Sequence, residues 1–493
     1  MRPRRKGWTP SVVALADAVP GIELGTTPSV TYEPWWELAT RFRLARFYLR
    51  FLQPEYQGTP ALLRRARVRA PRLAVKLGES IGRNRIARRL LVRALEVLET
   101  ATRASDRFHD YLTTVRPDLL VSTPLVVLKT AQLDLAQAAT ELGVRNVFAV
   151  ASWDHLSSKG ELTGCPQHVL VWNEIQKQEA ISLHGVPEER ITVTGAQVFD
   201  EWFGRQPSTT REAFCARVGL RADRPLLLYV CSSLLEGSPA EAPFVLRWAR
   251  HLRASGHPSL RECGILVRPH FKRGKEWGDV PFDGLDNIVC WPPAGDVPVD
   301  AASKADYFDS LFHASAVVGL NTSAMIEAGI LGRPVFTVLL PEFHADQRGT
   351  VHFHYLLDGP DALLRASDSL DAHANDVAGV LRSDDPEPER GARFVRTFVR
   401  PGNVDQPATA NVVDALERIA ALPAPPRARV PSWIPWIRPL LAPFAAAAAA
   451  RARRVDEEFR HGKHEALLEH RRRKAEAART KRARPDPPAV PVE

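Results

Sequence analysis

The 493-residue sequence contains no apolar run of the roughly 18 residues that a membrane-spanning helix needs, and no signal peptide. It also has few cysteines, and none of the five shows C-x-x-C spacing, which excludes the usual zinc and redox motifs. We therefore expect a cytoplasmic protein with reduced, mostly buried thiols. The cysteines are Cys165, Cys215, Cys231, Cys263 and Cys290.

An apolar first strand followed by a glycine turn, the usual start of an open α/β domain, is missing as well. The chain begins with the basic segment Met1–Lys6, and the pattern then predicts a helix near Pro10–Ala18 and a strand at Gly21–Leu24. A start codon assigned too late and a trimmed first domain are both open explanations.

Charge is distributed unevenly around the net value of +9. Residues 1–100 carry 19 basic and 8 acidic side chains and residues 423–493 carry 16 and 8, whereas residues 101–422 carry 31 and 41. Basic ends favour docking on an anionic surface, such as the inner face of the plasma membrane. We predict no nucleic-acid partner, because no aromatic and basic platform or reader motif is present.

The clearest pattern is a strand–helix–strand unit of a parallel sheet. Ala316–Leu320 is a buried β-branched strand, Ala324–Leu331 a helix, and Val335–Leu340 the next strand. The turn between the first two places hydroxyls and backbone N–H groups at a helix N-terminus, which favours a phosphate or diphosphate. Glu327 either caps this helix through Ser323 or Thr322, or accepts hydrogen bonds from ribose hydroxyls.

Strands and helices alternate on both sides of residue 205, which predicts two parallel sheets. Polar residues follow several strands, at the edge where open α/β proteins bind ligands. In the first half, the loop 151–160 offers a carboxylate, an imidazole and an ammonium group: Asp154, His155 and Lys159. In the second half, two strands end in Ser232, Ser233, Arg268 and His270.

Residues 35–112 read as helices, Trp36–Leu52, Ala61–Ile81 and Arg85–Leu112, in which arginines alternate with apolar side chains. A solvated face explains this pattern, and so does a surface that meets phospholipid head groups or a lipid-linked acceptor.

From residue 423 the chain is rich in proline and arginine. It includes Trp433 and Trp436 before a charged helix, so interfacial anchoring and a solvated tail are both open.

The run Thr322-Ser-Ala-Met-Ile-Glu327-Ala-Gly-Ile-Leu-Gly332-Arg-Pro334 resembles the nucleotide-diphosphate motif of GT-B glycosyltransferases, which nucleotide-sugar 2-epimerases share. Arg268-Pro-His270 resembles a motif of CDP-glycerol, capsule and sialyl transferases, although Phe271 replaces the usual last proline. The segment His184–Gly195 resembles the end of a GT-B N-terminal domain. The overall pattern resembles that of bacterial GT-B-like proteins of surface-polysaccharide type.

The resemblance implies an α/β fold with two facing, doubly wound Rossmann-like domains. Residues 1–205 would form the acceptor domain, with the basic helices 35–112 inserted, and residues 206–392 the nucleotide-donor domain. Residues 393–422 would cross back to the first domain, and residues 423–493 would form the helical tail.

The implied reaction is transfer of a sugar from a nucleotide-diphosphate donor to a glycan or lipid-linked acceptor, without a metal or other cofactor. Asp154 or His155 would act as general base, His270 would donate to the leaving diphosphate, and Glu327 would hold the ribose. Lys159, Thr350 and His352 would belong to loops at the cleft. The diphosphate would contact Ser232, Ser233, Arg268, Asn321, Thr322, Ser323 and Ala324.

Three alternatives to this function are open: a 2-epimerase-like isomerase, a CDP-glycerol-type glycerophosphotransferase, and a scaffold of the same fold without catalysis. The five histidines and acids from Glu342 to His354 suggest a metal site at first sight, but their spacing fits no standard ligand set. We interpret that segment as a loop that closes over a substrate.

Overall fold

The computed structural model describes residues 16, 21–102, 104–126, 129–162, 166–277, 280, 282, 284–293, 295–382, 385, 387–428 and 431–482, with side chains up to residue 460. Apart from Ala16, the predicted helix Pro10–Ala18 lies outside these residues, as does Cys165. The described chain contains two parallel sheets covered by helices, and it ends in a long helix. The predicted α/β fold with two Rossmann-like domains is thereby confirmed.

The N-terminal sheet has four parallel strands in the order β1-β2-β3-β4. These strands are β1 (Leu119–Ser122), β2 (Arg145–Ala149), β3 (His168–Val171) and β4 (Ile191–Val193). The predicted strand Gly21–Leu24 is wrong, because Gly21 lies in a turn and the next three residues are irregular and pair with no strand. Ile22 packs on the cluster around Leu170 and Val412 instead.

The helices of this half follow the predicted order. They are α1 (Pro34–Arg50), α2 (Pro60–Arg69), α3 (Arg72–Ile81), α4 (Arg85–Thr100), α5 (Asp106–Val115), α6 (Gln132–Leu142), α7 (His155–Ser158) and α8 (Glu174–His184), with 3-10 turns at Pro54–Tyr56, Glu188–Arg190 and Gln197–Trp202. The single helices predicted over Ala61–Ile81 and Arg85–Leu112 are each two helices. Pro71 interrupts the first, because proline disfavours a helical residue before it, and Ser105 caps a new helix in the second.

The C-terminal sheet has six parallel strands in the order β10-β9-β8-β5-β6-β7. These are β5 (Leu226–Val230), β6 (Gly264–Arg268), β7 (Ile288–Cys290), β8 (Ala316–Gly319), β9 (Val335–Val338) and β10 (Leu364–Ser367). All residues of β5, β6, β8 and β9 are buried, as expected for strands covered on both faces. The chain moves outward from β5 to β7 and then returns to β8, so the strand order reverses between β5 and β8.

The remaining elements connect these strands and lead back to the N-terminal sheet. They are α9 (Arg211–Val218), α10 (Glu241–Ala254), α11 (Pro258–Glu262), α12 (Ala301–Phe312), α13 (Ala324–Ile330), α14 (Phe353–Leu357), α15 (Leu370–Leu381), α16 (Arg390–Phe394), α17 (Ala408–Ala420) and α18 (Ile434–Arg482), with 3-10 turns at Phe271–Trp277 and Pro341–Phe343 and a π-helical turn at Val395–Val399. Helix α17 packs Val412 and Leu416 against Val147 and Leu170 of the first sheet.

The terminal helix α18 packs along α1 and buries Ala445, Ala448 and Ala449. Pro439 and Pro443 lie within it. Its outward side carries Trp436, Leu440 and Phe444, all more than 60% exposed. Within the described residues, no helix is both long and apolar enough to cross a membrane.

Candidate functional site

A cavity of about 280 Å³ lies where the two sheets meet. The loop after β2 forms one wall with Ala151, Ser152 and Trp153, and α13 forms another with Ser323 and Glu327. The segment that joins the domains and helix α12 complete it, through Val198, Phe199, Glu201, Trp202, Arg205, Lys304 and Tyr307. The cavity thus joins the predicted donor motif to the loop that carries the predicted catalytic residues.

Glu327 lies in this cavity, and the Tyr307 hydroxyl donates a hydrogen bond to its carboxylate. Burial raises the pKa of Glu327 to about 7, although the bond from Tyr307 opposes this shift. The interpretation of Glu327 as a helix cap is wrong, because Ser323 has helical dihedral angles and makes no side-chain cap bond. Glu327 therefore presents a largely protein-enclosed carboxyl group to whatever occupies the cavity.

Two basic side chains of this cavity were not identified from the sequence. Arg205 comes from the segment that joins the domains and lies over the ring of Phe308, with 4.6 Å between the guanidinium carbon and the ring centroid. Lys304 comes from the first turn of α12, which Asp300 caps. The capping box formed by Asp300 and Ser303 was the available sequence signal that a helix begins at Ala301 and places Lys304 in its first turns. Together they give the cavity two cationic groups for an anionic ligand.

The strand-order reversal in the C-terminal sheet brings two predicted diphosphate residues together. The backbone N–H of Asn321, after β8, donates to the Ser232 hydroxyl, after β5, at 3.0 Å. Ser232 is buried, and its own backbone N–H donates to Glu241 at 2.8 Å. Crevices at such reversals are the usual ligand sites of open α/β sheets. Ser233 is exposed beside this point.

Glu241 makes this junction sensitive to pH. Its carboxyl group is buried between Tyr229 and Ser232, and burial raises its pKa to about 8, compared with 4.5 when solvated. At a pH between these two pKa values, Glu241 is protonated in the folded state and ionised in the unfolded state. The free energy of unfolding should therefore fall with increasing pH across this range, by up to about 1.4 kcal/mol per pH unit from this group.

Urea unfolding at pH 5, 6, 7 and 8 measures this slope. Glu241→Gln keeps the shape of the side chain but removes the titrating group. The decrease in unfolding free energy per pH unit should therefore be smaller in this variant, by the contribution of about one proton. An equal slope in this variant and in the unaltered protein would contradict the assignment. Glu262→Gln, on an exposed site of α11, is the matched control.

Arg268 is the last residue of β6 and His270 follows it, but neither lines the cavity. The Arg268 guanidinium is bound to Asp306 at 2.8 Å and to the Ser310 hydroxyl at 2.6 Å, and it lies over the ring of Tyr307. His270 stacks on Phe271, and burial lowers its pKa. Contact of Arg268 with a diphosphate would require exchange of its bond to Asp306, so its predicted role and that of His270 stay predictions.

Asp154 is held by its own loop. It accepts hydrogen bonds from Ser152 at 2.7 Å and Ser158 at 3.0 Å, and it pairs with Lys159 at 2.9 Å. Burial alone would raise the pKa of Asp154, but Lys159 and the nearby His352 lower it below the usual range. The carboxylate is therefore ionised throughout the neutral range, and Lys159 acts as its counter-ion.

The histidines around this loop are neutral at pH 7. Burial lowers the pKa of both His155 and His352 to about 4. His155 accepts a weak bond from the Ala151 N–H at 3.4 Å through Nδ1, which leaves Nε2 as the protonated nitrogen. His352 contacts Trp153 edge to face, with ring centroids 4.7 Å apart, and so connects the second domain to the loop.

The remaining predicted residues do not line the cavity. Thr350 is buried and donates to the Gln347 carbonyl at 2.9 Å, and the Asn321 side chain donates to the Asp346 carbonyl. Thr322 accepts, through its carbonyl, the Met325 N–H, and Ala324 is the first residue of α13. Among the described residues, no group of three or more His, Cys, Asp or Glu is placed to hold a metal ion.

No protein-family model matches the chain, and no curated protein sequence matches it significantly. Among solved structures, the wall teichoic acid polymerase TagF is 12% identical and aligns over 64% of this chain and 85% of its own, with a TM-score of 0.39. The UDP-GlcNAc 2-epimerase from Neisseria meningitidis bound to UDP-GlcNAc is 11% identical, over 66% and 82%, with a TM-score of 0.40. S. aureus MnaA with UDP is 11% identical, over 66% and 81%, with a TM-score of 0.44. Because these values describe a distant similarity, we assign no activity from them.

Proposed function

We propose that the protein is a glycosyltransferase that binds a nucleotide-diphosphate sugar in the cavity between its two domains and transfers the sugar to an acceptor hydroxyl. The observation that carries the proposal is the composition of this one cavity. It combines two carboxyl groups, of which Glu327 is suited to ribose hydroxyls and Glu201 is exposed, with two cations suited to a diphosphate, Arg205 and Lys304. Tryptophan rings at Trp153 and Trp202 supply apolar surface for a base or sugar.

The division of the cavity between two domains also supports transfer. In the proposal, the second domain holds the donor through Ser323 and Glu327, and the loop after β2 approaches from the first domain with Ser152 and Trp153. An acceptor hydroxyl would enter from the side of this loop. Proximity of two bound substrates is what a group transfer needs, whereas an isomerase needs only one site.

A thermal-shift screen against UDP, GDP, CDP, dTDP and their common sugar conjugates tests the donor site. A ligand at 100 times its dissociation constant should add about 2.7 kcal/mol to the free energy of unfolding. We expect one nucleoside class to stabilise the protein and Arg205→Ala with Lys304→Ala to remove most of this response. Arg250→Ala, on the exposed side of α10, is the control. A response to none of the nucleotides would contradict the proposal and favour the scaffold alternative.

We further propose that the protein works in cell-surface glycan synthesis as a peripheral protein of an anionic membrane surface. The basic ends of the chain support this association, and so does the exposed row of Trp436, Leu440 and Phe444 on α18, spaced at one helical turn. Co-sedimentation with vesicles of phosphatidylglycerol and phosphatidylcholine, compared with phosphatidylcholine alone, measures it. Equal recovery in the two pellets would contradict an electrostatic association.

A further inference from the structure

A second and larger cavity, of about 1080 Å³, lies among the N-terminal helices. Seven arginines and three glutamates line it, which gives its wall a formal excess of four positive charges. The loop after β2 separates it from the cavity between the domains, because Ser152 and Trp153 line one and Glu161 lines the other. None of the residues assigned to the donor or to catalysis lines this second cavity.

Two buried arginines of this cavity form no ion pair within the described part of the chain, whereas Arg46 is paired with Glu99 at 2.6 Å. Arg50 is 1% exposed, and its guanidinium donates to the carbonyl oxygens of Leu156, Lys159 and Gly160. Arg88 is 7% exposed and donates to the carbonyls of two residues, Leu52 at 3.4 Å and Gly82 at 3.1 Å. Carbonyl oxygens satisfy the donors without supplying a negative charge. A buried cation of this kind favours an anionic ligand.

A tyrosine beside the buried Arg50 also faces this space. Tyr56 is 2% exposed, and burial raises the pKa of its hydroxyl to about 12 although the neighbouring Arg50 guanidinium lowers it. Both residues line the cavity, and the Arg50 guanidinium carbon lies 5.4 Å from the centroid of the Tyr56 ring. Arg50 and Tyr56 thus place a buried cation and a hydroxyl together on the wall of the cavity, and both can donate to a ligand oxygen.

The surface beside the cavity indicates where the anion comes from. Helix α4 alternates basic residues that line the cavity, Arg85 and Arg89, with apolar residues, Ile86 and Leu90, that are 70% and 66% exposed. Exposed apolar side chains beside a basic cavity favour a phosphate that is attached to an acyl or prenyl chain, because they can contact the hydrocarbon chain. Free phosphate has no apolar part for them to contact.

We propose that this arginine-lined cavity binds the phosphate or diphosphate head group of a lipid, and so places α4 on the membrane surface. The ligand class is a phosphate ester carried by a hydrocarbon chain, which includes a lipid-linked acceptor. The binding site itself does not depend on the proposed transfer reaction; only its use as an acceptor site rests on that function.

Vesicle binding by charge-reversal variants tests the cavity. Arg85→Glu with Arg89→Glu changes two exposed residues of its wall, and Arg250→Glu with Arg261→Glu makes the same change of charge on exposed residues of α10 and α11. With vesicles containing phosphatidic acid, we expect the first double variant to bind at least about tenfold more weakly and the second to change less than twofold. Equal losses would overturn the proposal, because general charge would then account for binding.

Two further arms identify the source and the chemistry of the anion. Vesicles with a sulfated lipid at the same charge density should bind more weakly than phosphatidic acid, and equal binding would overturn selectivity for phosphate. If inorganic pyrophosphate stabilises the protein against unfolding but the protein binds no vesicles, the proposal that the phosphate belongs to a lipid is overturned. The nucleotide-induced thermal shift should be unchanged in Arg85→Glu with Arg89→Glu, so failure of the donor proposal and failure of this one give different results.

Discussion

Glu327→Ala should weaken binding of the nucleotide identified by the thermal screen by roughly 10- to 100-fold. A hydrogen bond to a charged or partly charged group contributes about 1.5–3 kcal/mol, and each 1.4 kcal/mol is tenfold in the dissociation constant. The carboxyl group of Glu327 lines the cavity and is already oriented by the Tyr307 hydroxyl, so its loss removes a preorganised acceptor. Isothermal titration calorimetry with the nucleoside diphosphate measures the change directly.

Two companion variants make this result specific. Tyr307→Phe removes the hydroxyl that orients Glu327 and leaves the acceptor in place, so its loss of affinity should be smaller than that of Glu327→Ala. Glu262→Ala removes an exposed carboxylate of α11 and should bind normally. A dissociation constant for Glu327→Ala equal to that of the unaltered protein would remove Glu327 from the donor site.

The buried strands of the second domain could be predicted well from the sequence because their pattern is unambiguous. Residues 226–230, 264–268 and 316–319 are short apolar runs between turns, and strands buried on both faces require that composition. The segment Gly21–Leu24 places two apolar residues in alternation but has no neighbouring strand to pair with. Strand formation depends on that partner, which a local pattern does not contain.

The cavity itself could be predicted only in part, because its residues come from distant parts of the chain. Glu327 and Ser323 were found from one continuous motif. Arg205 and Lys304 belong to a connecting segment and to the start of α12, and only folding brings them beside Glu327. The pairing of Arg268 with Asp306 could not be predicted either, because an ion pair between separate elements leaves no spacing signal.

Asp154→Asn should leave nucleotide binding unchanged and lower the transfer rate by about 10²- to 10⁴-fold, which is the usual contribution of a general base. Asparagine has the shape of aspartate and can keep contacts with Ser152 and Ser158, so the loop should hold its conformation. Nucleoside diphosphate release from the donor, in the presence of acceptor, gives the rate. Turnover at the normal rate would exclude Asp154 as the base and leave His155 as the candidate.

The ion pair with Lys159 provides a test that separates a base from a residue that merely positions the loop. A base must be ionised, so the rate falls as the pH drops below its pKa. Lys159 lowers the pKa of Asp154, so the unaltered protein should show no acidic limb from this group above about pH 4. Lys159→Met should raise that pKa and move the acidic limb to higher pH. If Asp154 only positions the loop, Lys159→Met should lower the rate equally at every pH, because the group that titrates would take no part in proton transfer.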